Sequence, residues 1–348
     1  MSPDITPFEN CPSLDGYHCQ TNALAKILRY HGHPMSEDMI LGLGAGMGFI
    51  YWKMRIGSKD YVFMGGRSNT KGFFADFGRR TGLAIRVVFT ASAEKAQASL
   101  LEELEKKQPV MLFGDMGFLP WFDFPEGYHF GGHTFVVCGY DGKGTVLASD
   151  VDQKAAGLKK GFYYPITLDQ LKKARSSTYK PFPPRNGYLQ FDLKAFHEPE
   201  AEDVRQAMRQ TVEIQLNPPI KNLGVKGIRH ASKELLKWPQ MFDDHELRMN
   251  LFMIYVSIEI GGTGGGCFRY MYSRFLEESA GITKDDRLMK PAAQFRKAGE
   301  MFSEIAALFE ASEKADDLSE RIGKASAMFH AIAELEEKAY GELARIVR

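Results

Sequence analysis

The sequence predicts an α+β protein in which a domain with an antiparallel sheet is followed by an all-helical domain. Residues 128–150 alternate in character around Asp141-Gly142-Lys143-Gly144, a pattern typical of a β-hairpin and its turn. From about His197 onward, strand-forming composition gives way to helical patterning. We therefore expect a boundary near residue 196, with domains at 1–195 and 196–348.

Composition and charge exclude several classes of function. The chain contains 44 Lys and Arg against 44 Asp and Glu, so nothing in its net charge favours binding to nucleic acid or to an anionic membrane. The most apolar stretch, Leu251 to Ile258, is too short to span a bilayer, and the first ten residues lack a signal-peptide pattern. The four cysteines form no CxxC pair. We expect a cytoplasmic protein with no bound metal or cofactor.

The first half is predicted to mix helices and strands. A helix begins at Cys19, after a turn or cap at Asp15-Gly16. The glycine-rich residues 42–49 lack the GK[ST] of a P-loop, so we interpret them as a loop that passes close to another element. The other predicted elements are helices at 36–43, 72–80, 92–107 and 167–174 and strands at 83–89, 109–113, 161–165 and 187–193.

The second half is predicted to be entirely helical. Gly227 to Trp238 is one helix, ended by Pro239, and residues 268–276 carry an apolar stripe at helical spacing. The remaining helices are predicted at 203–215, 245–260, 291–312 and 317–347, with the last two forming an antiparallel hairpin.

Cys19 is the first candidate for chemistry. Ala23, Ile27 and Tyr30 follow it at helical spacing, so Cys19 opens the buried stripe of its helix. A thiol at a helix N-terminus feels unpaired N–H groups and the helix dipole, which lower its pKa. The alternative is that Cys19 is a small buried core residue.

His133 and an aspartate form the second candidate pair. If Tyr140 faces Thr145 in the hairpin, His133 lies opposite Asp152 and diagonal to Asp150, so either carboxylate can orient the imidazole. We favour Asp150, because pairing should fray at Asp152. Cys138 points to the other face of the sheet and is interpreted as a core residue. Cys19, His133 and Asp150 have the chemical character of a nucleophile, a base and an orienting group.

This order of residues resembles papain-like cysteine enzymes, including the C39 peptidases that process bacteriocins. A closer resemblance is to the butirosin biosynthesis protein H family, which joins a papain-like domain to a helical domain. The matching segments are His18-Cys19, Leu41 to Gly44, Phe49 to Trp52, Gly131 to His133, Gly139 to Asp141, Ile258-Glu259, Gly262 to Gly266 and Phe268-Arg269. The resemblance implies Cys19 as nucleophile, His133 as base and Asp150 as orienter.

The resemblance also implies a substrate class. The member that names the family transfers an aminoacyl group from the phosphopantetheine thiol of an acyl carrier protein to an amine of an aminoglycoside. We therefore expect a secondary-metabolite acyltransferase that uses a carrier or CoA thioester and a small amine. The sequence alone leaves open a cysteine peptidase or amidase, and also a non-catalytic carrier- or peptide-binding protein. It likewise leaves open whether the chain is a homodimer.

Further binding residues are named as candidates. Papain-like enzymes place an oxyanion Gln six residues before the cysteine, where this chain has Ser13, so the oxyanion candidates are the Cys19 N–H with His18, Gln20 or Asn22. The aromatic loop at 115–124 is either a substrate wall or a lid over the core. The Gly261–Gly266 loop is either a phosphate cradle or a hinge between crossing helices. The substrate or carrier candidates from these loops are Asp115, Trp121, Gly264, Gly265 and Arg269.

Overall fold

The computed structural model describes residues 5–56, 59–152, 157–312 and 315–348. Contacts divide the chain into two units, one of Met1–Ile40 and Gly82–Glu198 and one of Leu41–Thr81 and Pro199–Arg348. The chain passes from the first unit to the second for the last time after Glu198, close to the predicted boundary at 196. The single-boundary prediction differs from these contacts at Leu41–Thr81, which groups with the helical unit.

The first unit is built on an antiparallel sheet, in agreement with the α+β prediction. Its six strands are β3 (Ala84–Val88), β4 (Val110–Gly114), β5 (His133–Tyr140), β6 (Thr145–Val151), β7 (Gly161–Thr167) and β8 (Tyr188–Asp192). They lie in the order β3-β8-β4-β5-β6-β7 across the sheet. The helices are α1 (Cys19–Tyr30), α4 (Ala93–Glu105) and α5 (Leu168–Arg175), while α2 (Glu37–Leu43) runs across the boundary at Ile40.

The hairpin of β5 and β6 contains a bulge that the sequence did not predict. Tyr140 pairs with Val146 rather than with Thr145, and the register shifts between Val137 and Gly139. Beyond this bulge, Val137 pairs with Ala148, which is the predicted register. The extra residue therefore twists the turn end of the hairpin but leaves the other end as predicted.

Local capping explains several helix boundaries in this unit. Ser92 caps α4, and Thr167 with Gln170 forms the predicted capping box of α5. At α1 the cap is His18, whose side chain accepts a hydrogen bond from the Thr21 N–H, rather than the predicted Asp15-Gly16. Gly16 instead pairs with Lys159 in an isolated bridge.

The second unit contains a two-stranded hairpin and most of the helices. The hairpin of β1 (Ile50–Ile56) and β2 (Lys59–Gly65) was not predicted. The helices are α3 (Phe73–Thr81), α6 (Ala201–Leu216), α7 (Gly224–Leu235), α8 (Trp238–Met241), α9 (Asp244–Tyr255), α10 (Arg269–Thr283), α11 (Met289–Glu310) and α12 (Leu318–Ile346). Pro239 lies in the first turn of α8, where a missing N–H costs little, so it opens a short helix instead of only ending α7.

Buried hydrogen bonds explain why Leu41–Thr81 groups with the helical unit. The Gln215 side-chain amide on α6 donates to the Met47 carbonyl at 2.8 Å, and the Arg269 guanidinium donates to the Gly48 carbonyl at 2.7 Å. Such contacts join residues more than 160 positions apart. In the described ranges, no helix is both long enough and apolar enough to cross a membrane.

Candidate active site

The turn before α1 is held by a buried carboxylate from α2. Glu37 accepts hydrogen bonds from the Tyr17 N–H at 2.8 Å, the His18 N–H at 3.1 Å and the Thr21 hydroxyl. Burial raises the pKa of Glu37, although these hydrogen bonds act to lower it. Glu37 thus fixes the backbone that presents Cys19, a role that sequence analysis missed because Glu37 was read only as part of a helix start.

Asn22 completes the same network. Its side-chain amide donates to the Asp15 carbonyl at 3.2 Å and lies 3.4 Å from Glu37 Oε1. Gly16 is packed against both side chains, because a Cβ there would lie 2.1 Å from Asn22 Nδ2 and 2.4 Å from Glu37 Oε1. The loop before Cys19 is therefore defined by side chains from two helices.

His133 and Asp150 meet on the sheet. His133 opens β5, Asp150 lies near the end of β6, and His133 Nε2 is 2.7 Å from Asp150 Oδ2. Both side chains are only 2% exposed. The Val151 N–H donates to Asp150 Oδ1 at 2.8 Å. Because Asp150 occupies Nε2, the other ring nitrogen is left for the thiol.

Helix α1 packs against β5 and brings half-buried Cys19 to His133. Burial acts to raise the pKa of the Cys19 thiol, but a hydrogen bond and the positive charge of His133, with further hydrogen bonds from Thr134, bring it below 9.0. Burial lowers the pKa of His133, but Asp150 and Cys19 together raise it to about 10. The proton of the pair therefore rests on the imidazole, which favours a thiolate–imidazolium pair.

Trp121 extends this chain of contacts. Its indole N–H donates to Asp150 Oδ2 at 2.9 Å, the same oxygen that faces His133. The indole stacks on Tyr164 with centroids 4.9 Å apart and an interplanar angle of 13°. Trp121 was predicted as a substrate or carrier contact, and the structure places it beside the orienting carboxylate.

A buried lysine, Lys26, lies near Asp150 and Glu37. Lys26 follows Cys19 by two turns on α1 and is 1% exposed. Burial lowers its pKa, while the nearby charges of Asp150 and Glu37 and the thiols of Cys138 and Cys11 act to raise it. No pattern in the sequence predicted that a lysine on this helix would lie near two carboxylates.

Cys138 lies in the core, as predicted. It is fully buried, and its thiol donates to the Leu147 carbonyl at 3.6 Å. A hydrogen bond with Cys11, together with burial, raises the pKa of the Cys138 thiol. The Cys138 thiol is therefore a poor nucleophile compared with Cys19.

The oxyanion candidates separate by their contacts. His18 Nδ1 accepts from the Thr21 N–H, and the Asn22 amide is used by the loop and Glu37, so both have structural partners. The Gln20 side chain is partly exposed. The Cys19 N–H lies in the first turn of α1, where helix N–H groups have no intrahelical acceptor. The Cys19 N–H and the Gln20 side chain therefore both stay oxyanion candidates.

Asp115 organises its loop rather than opening to solvent. It is fully buried and accepts hydrogen bonds from the Ser177 hydroxyl, the Gly117 N–H at 3.1 Å and the Phe130 N–H at 3.1 Å. His129 Nδ1 lies 3.0 Å from the same carboxylate. These contacts give Asp115 a structural role in its loop, and its role as a binding residue stays a prediction.

Arg269 is also committed to the interior of its unit. It is fully buried, and its guanidinium meets both oxygens of Glu336 at 2.6 and 3.0 Å. It also donates to the Cys267 carbonyl at 2.7 Å. These contacts occupy the guanidinium within its own unit, and the role of Arg269 in binding a carrier stays a prediction.

The glycine loop before Arg269 is a close crossing of backbones. A Cβ on Gly266 would lie 2.7 Å from the Gly299 Cα on α11, and the Gly266 N–H donates to Glu259 at 3.0 Å. Gly264 and Gly265 have φ values of 72° and 78°, which favour glycine. The hinge alternative therefore explains these glycines without a ligand. In the described part of the chain, no three His, Cys, Asp or Glu side chains are grouped to hold a metal ion.

Comparisons with known proteins agree with the sequence resemblance. The family model described as butirosin biosynthesis protein H, N-terminal, matches residues 18–151, which include Cys19, His133 and Asp150. A model described as a domain of unknown function, DUF4872, matches residues 169–343, half of the chain. No curated protein matches the sequence. Residues 18–151 therefore belong to the butirosin biosynthesis protein H family, as their motifs predicted, and residues 169–343 belong to the DUF4872 family.

Proposed function

We propose that the protein is a cysteine-dependent acyltransferase that moves an acyl or aminoacyl group from a carrier or CoA thioester to an amine. The observation that supports this best is the contact of Cys19 with His133, which itself bonds Asp150 at 2.7 Å. Membership of a family named for butirosin biosynthesis supports a biosynthetic enzyme. The preference for transfer over hydrolysis rests on the resemblance to the acyltransferase of that family.

In the first half-reaction, the Cys19 thiolate attacks the carbonyl carbon of the donor thioester. A bond forms between Cys19 Sγ and that carbon, and the bond from the carbon to the donor sulfur breaks. The departing sulfur takes the proton held on His133, whose pKa is raised to about 10, and leaves as a neutral thiol. The products are an acyl-Cys19 thioester and a neutral imidazole.

In the second half-reaction, an amine nitrogen attacks the same carbonyl carbon. The nitrogen–carbon bond forms, the carbon–Cys19 sulfur bond breaks, and the amine proton passes to His133. Asp150 stabilises the imidazolium that results, and Cys19 leaves as the paired thiolate. In both steps the Cys19 N–H stabilises the developing oxyanion, and one such donor contributes about 10²–10³ in rate.

Intact-mass analysis tests the proposal directly. Incubation with an acyl-N-acetylcysteamine thioester should add one acyl group, mapped to Cys19, and a primary amine should remove it faster than water does. Cys19→Ala should show no adduct, whereas Cys11→Ala, a matched control at a buried thiol, should behave as wild type. A protein that forms no adduct, or that cleaves peptides with no thioester, would contradict acyl transfer.

A further inference from the structure

A second concave site lies within the helical unit, at the free edge of the β1–β2 hairpin. The pocket has a volume of about 360 Å³. Its walls come from β1, from the segment before α7 and from α7 itself, and include Trp52, Lys53, Lys221, Asn222, His230 and Glu234. No residue of the Cys19 site lines it.

The Lys53 N–H on the backbone of β1 is a hydrogen-bond donor at this edge. The Tyr51 N–H points away from β2 and donates to the Asn222 carbonyl at 2.9 Å, and the Asn222 amide donates back to the Tyr51 carbonyl at 2.9 Å. In an antiparallel strand, the N–H groups of residues two apart point to the same side. The Lys53 N–H therefore faces the pocket edge, beyond the contact with Asn222.

The charge around the pocket is predominantly positive. Within the described ranges, Lys221 has no ion-pair partner, whereas Lys53 contacts Asp60 at 2.9 Å. The carboxylate of Glu234 is already paired with Lys237 at 2.6 Å. An anion entering the pocket would therefore meet Lys221 without displacing an ion-pair partner, although the charge of Glu234 also acts on Lys221.

The pKa of His230 reflects the positive charge of the lysines around the pocket. Its ring packs edge-on against Tyr51, with centroids 5.1 Å apart. Burial lowers the pKa of His230, the charges of Lys221, Lys237 and Lys233 lower it further, and Glu234 acts in the opposite direction. A neutral imidazole beside lysines offers a hydrogen bond to an anion without adding a competing negative charge.

Trp52 adds a flat apolar wall. Its side chain is 46% exposed and lies directly across the hairpin from Phe63, which is 37% exposed. An exposed indole next to lysines is suited to stack on a planar ring while the lysines bind an attached anion.

We propose that this pocket binds a phosphate ester attached to a flat heteroaromatic ring, the chemistry shared by a free nucleotide and the nucleotide part of coenzyme A. The lysines and the Lys53 N–H would hold the phosphate, and Trp52 would stack on the ring. All lining residues belong to the helical unit, so the proposal does not rest on the acyltransferase function. Failure of nucleotide binding would leave the Cys19 mass test unaffected.

Fluorescence and calorimetric titrations of the full chain test this site. The chain has three tryptophans, of which Trp238 is buried and Trp121 is in the other unit, so quenching by a ligand reports Trp52. Adenosine diphosphate should quench saturably, and adenosine should bind at least tenfold more weakly. Equal binding of the two, or no saturable binding of adenosine diphosphate, would overturn the proposal. Coenzyme A binding more tightly than adenosine diphosphate would identify the coenzyme as the source; the reverse order would identify a free nucleotide.

Three variants make the assignment specific. Lys221→Gln should weaken adenosine diphosphate binding about tenfold, since a charge-assisted contact is lost. Lys226→Gln is the matched control, because Lys226 is exposed on α7 but does not line the pocket. Trp52→Phe should abolish the quench while calorimetry retains most of the affinity. A Lys221→Gln protein that binds as tightly as Lys226→Gln would contradict the proposed site.

Discussion

Trp121 and His133 share one acceptor, Oδ2 of Asp150, at 2.9 and 2.7 Å. The other oxygen of Asp150 accepts the Val151 N–H at 2.8 Å. The carboxylate is thus held at both oxygens, and its position in turn sets the plane of the imidazole. We propose that Trp121 acts through Asp150, as a positioning residue rather than a catalytic one.

Replacing Trp121 should therefore affect rate more than substrate binding. In Trp121→Phe the hydrogen bond to Asp150 is lost, and a hydrogen bond to a charged group contributes about 1.5–3 kcal/mol, so we expect kcat for acyl transfer to fall roughly ten- to hundredfold. KM should change little. Tyr164→Phe keeps the stacked ring and is the control. An unchanged kcat in Trp121→Phe would show that the shared oxygen does not matter.

The pH dependence of Cys19 alkylation follows from the two pKa directions. The thiol pKa is lowered, so thiolate persists as the pH falls, and the imidazolium persists until the pH approaches about 10. We expect the rate with iodoacetamide to fall less steeply from pH 8 to pH 6 than that of an ordinary thiol of pKa about 8.5, which loses close to tenfold per unit.

The substitution His133→Asn should shift the pKa of the Cys19 thiol in the opposite direction. Burial then acts on the thiol without the compensating imidazolium, so its pKa should rise and alkylation should become steeply pH-dependent. The measurement is the alkylated fraction at Cys19 by peptide mass spectrometry. Parallel pH profiles for wild type and His133→Asn would rule out the ion pair.

Glu37 should be important for both stability and reactivity. Glu37→Gln keeps the shape but turns an N–H₂ toward backbone donors, leaving buried groups unsatisfied at a cost of about 1–3 kcal/mol each. We expect lower free energy of unfolding in urea and slower alkylation of Cys19. Glu102→Gln, at an exposed carboxylate, should change neither. Wild-type values for both properties would refute the proposed support of the Cys19 turn.

Arg269 should be essential for stability. Arg269→Met leaves the fully buried Glu336 without its ion-pair partner, which should lower the free energy of unfolding by about 3–5 kcal/mol. Arg269→Met combined with Glu336→Leu should recover much of that loss in urea unfolding. Lys290→Met, which breaks an exposed pair with Glu342, should cost less than about 1 kcal/mol. A stable Arg269→Met protein would contradict the structural role.

Local signals explain how much of the site was predictable. Helical periodicity placed Cys19 at the first residue of α1, and strand alternation placed His133 diagonal to Asp150, because both depend on near neighbours in the chain. The predicted register of the hairpin is correct only on the side of the bulge where His133 lies. The capping box at Thr167 and Gln170 was predicted for the same local reason.

The sequence by itself determined the α+β class, the family resemblance and the grouping of Cys19 with His133 and Asp150, because periodicity, turn chemistry and motifs depend on short stretches of chain. Only the tertiary structure decided that Glu37 holds the Cys19 turn, that Trp121 bonds Asp150, and that Arg269 pairs with Glu336. It also grouped Leu41–Thr81 with the helical unit. The partners in these contacts are 16 to 168 residues apart in the chain, so no local pattern encodes which buried polar group will bond to which.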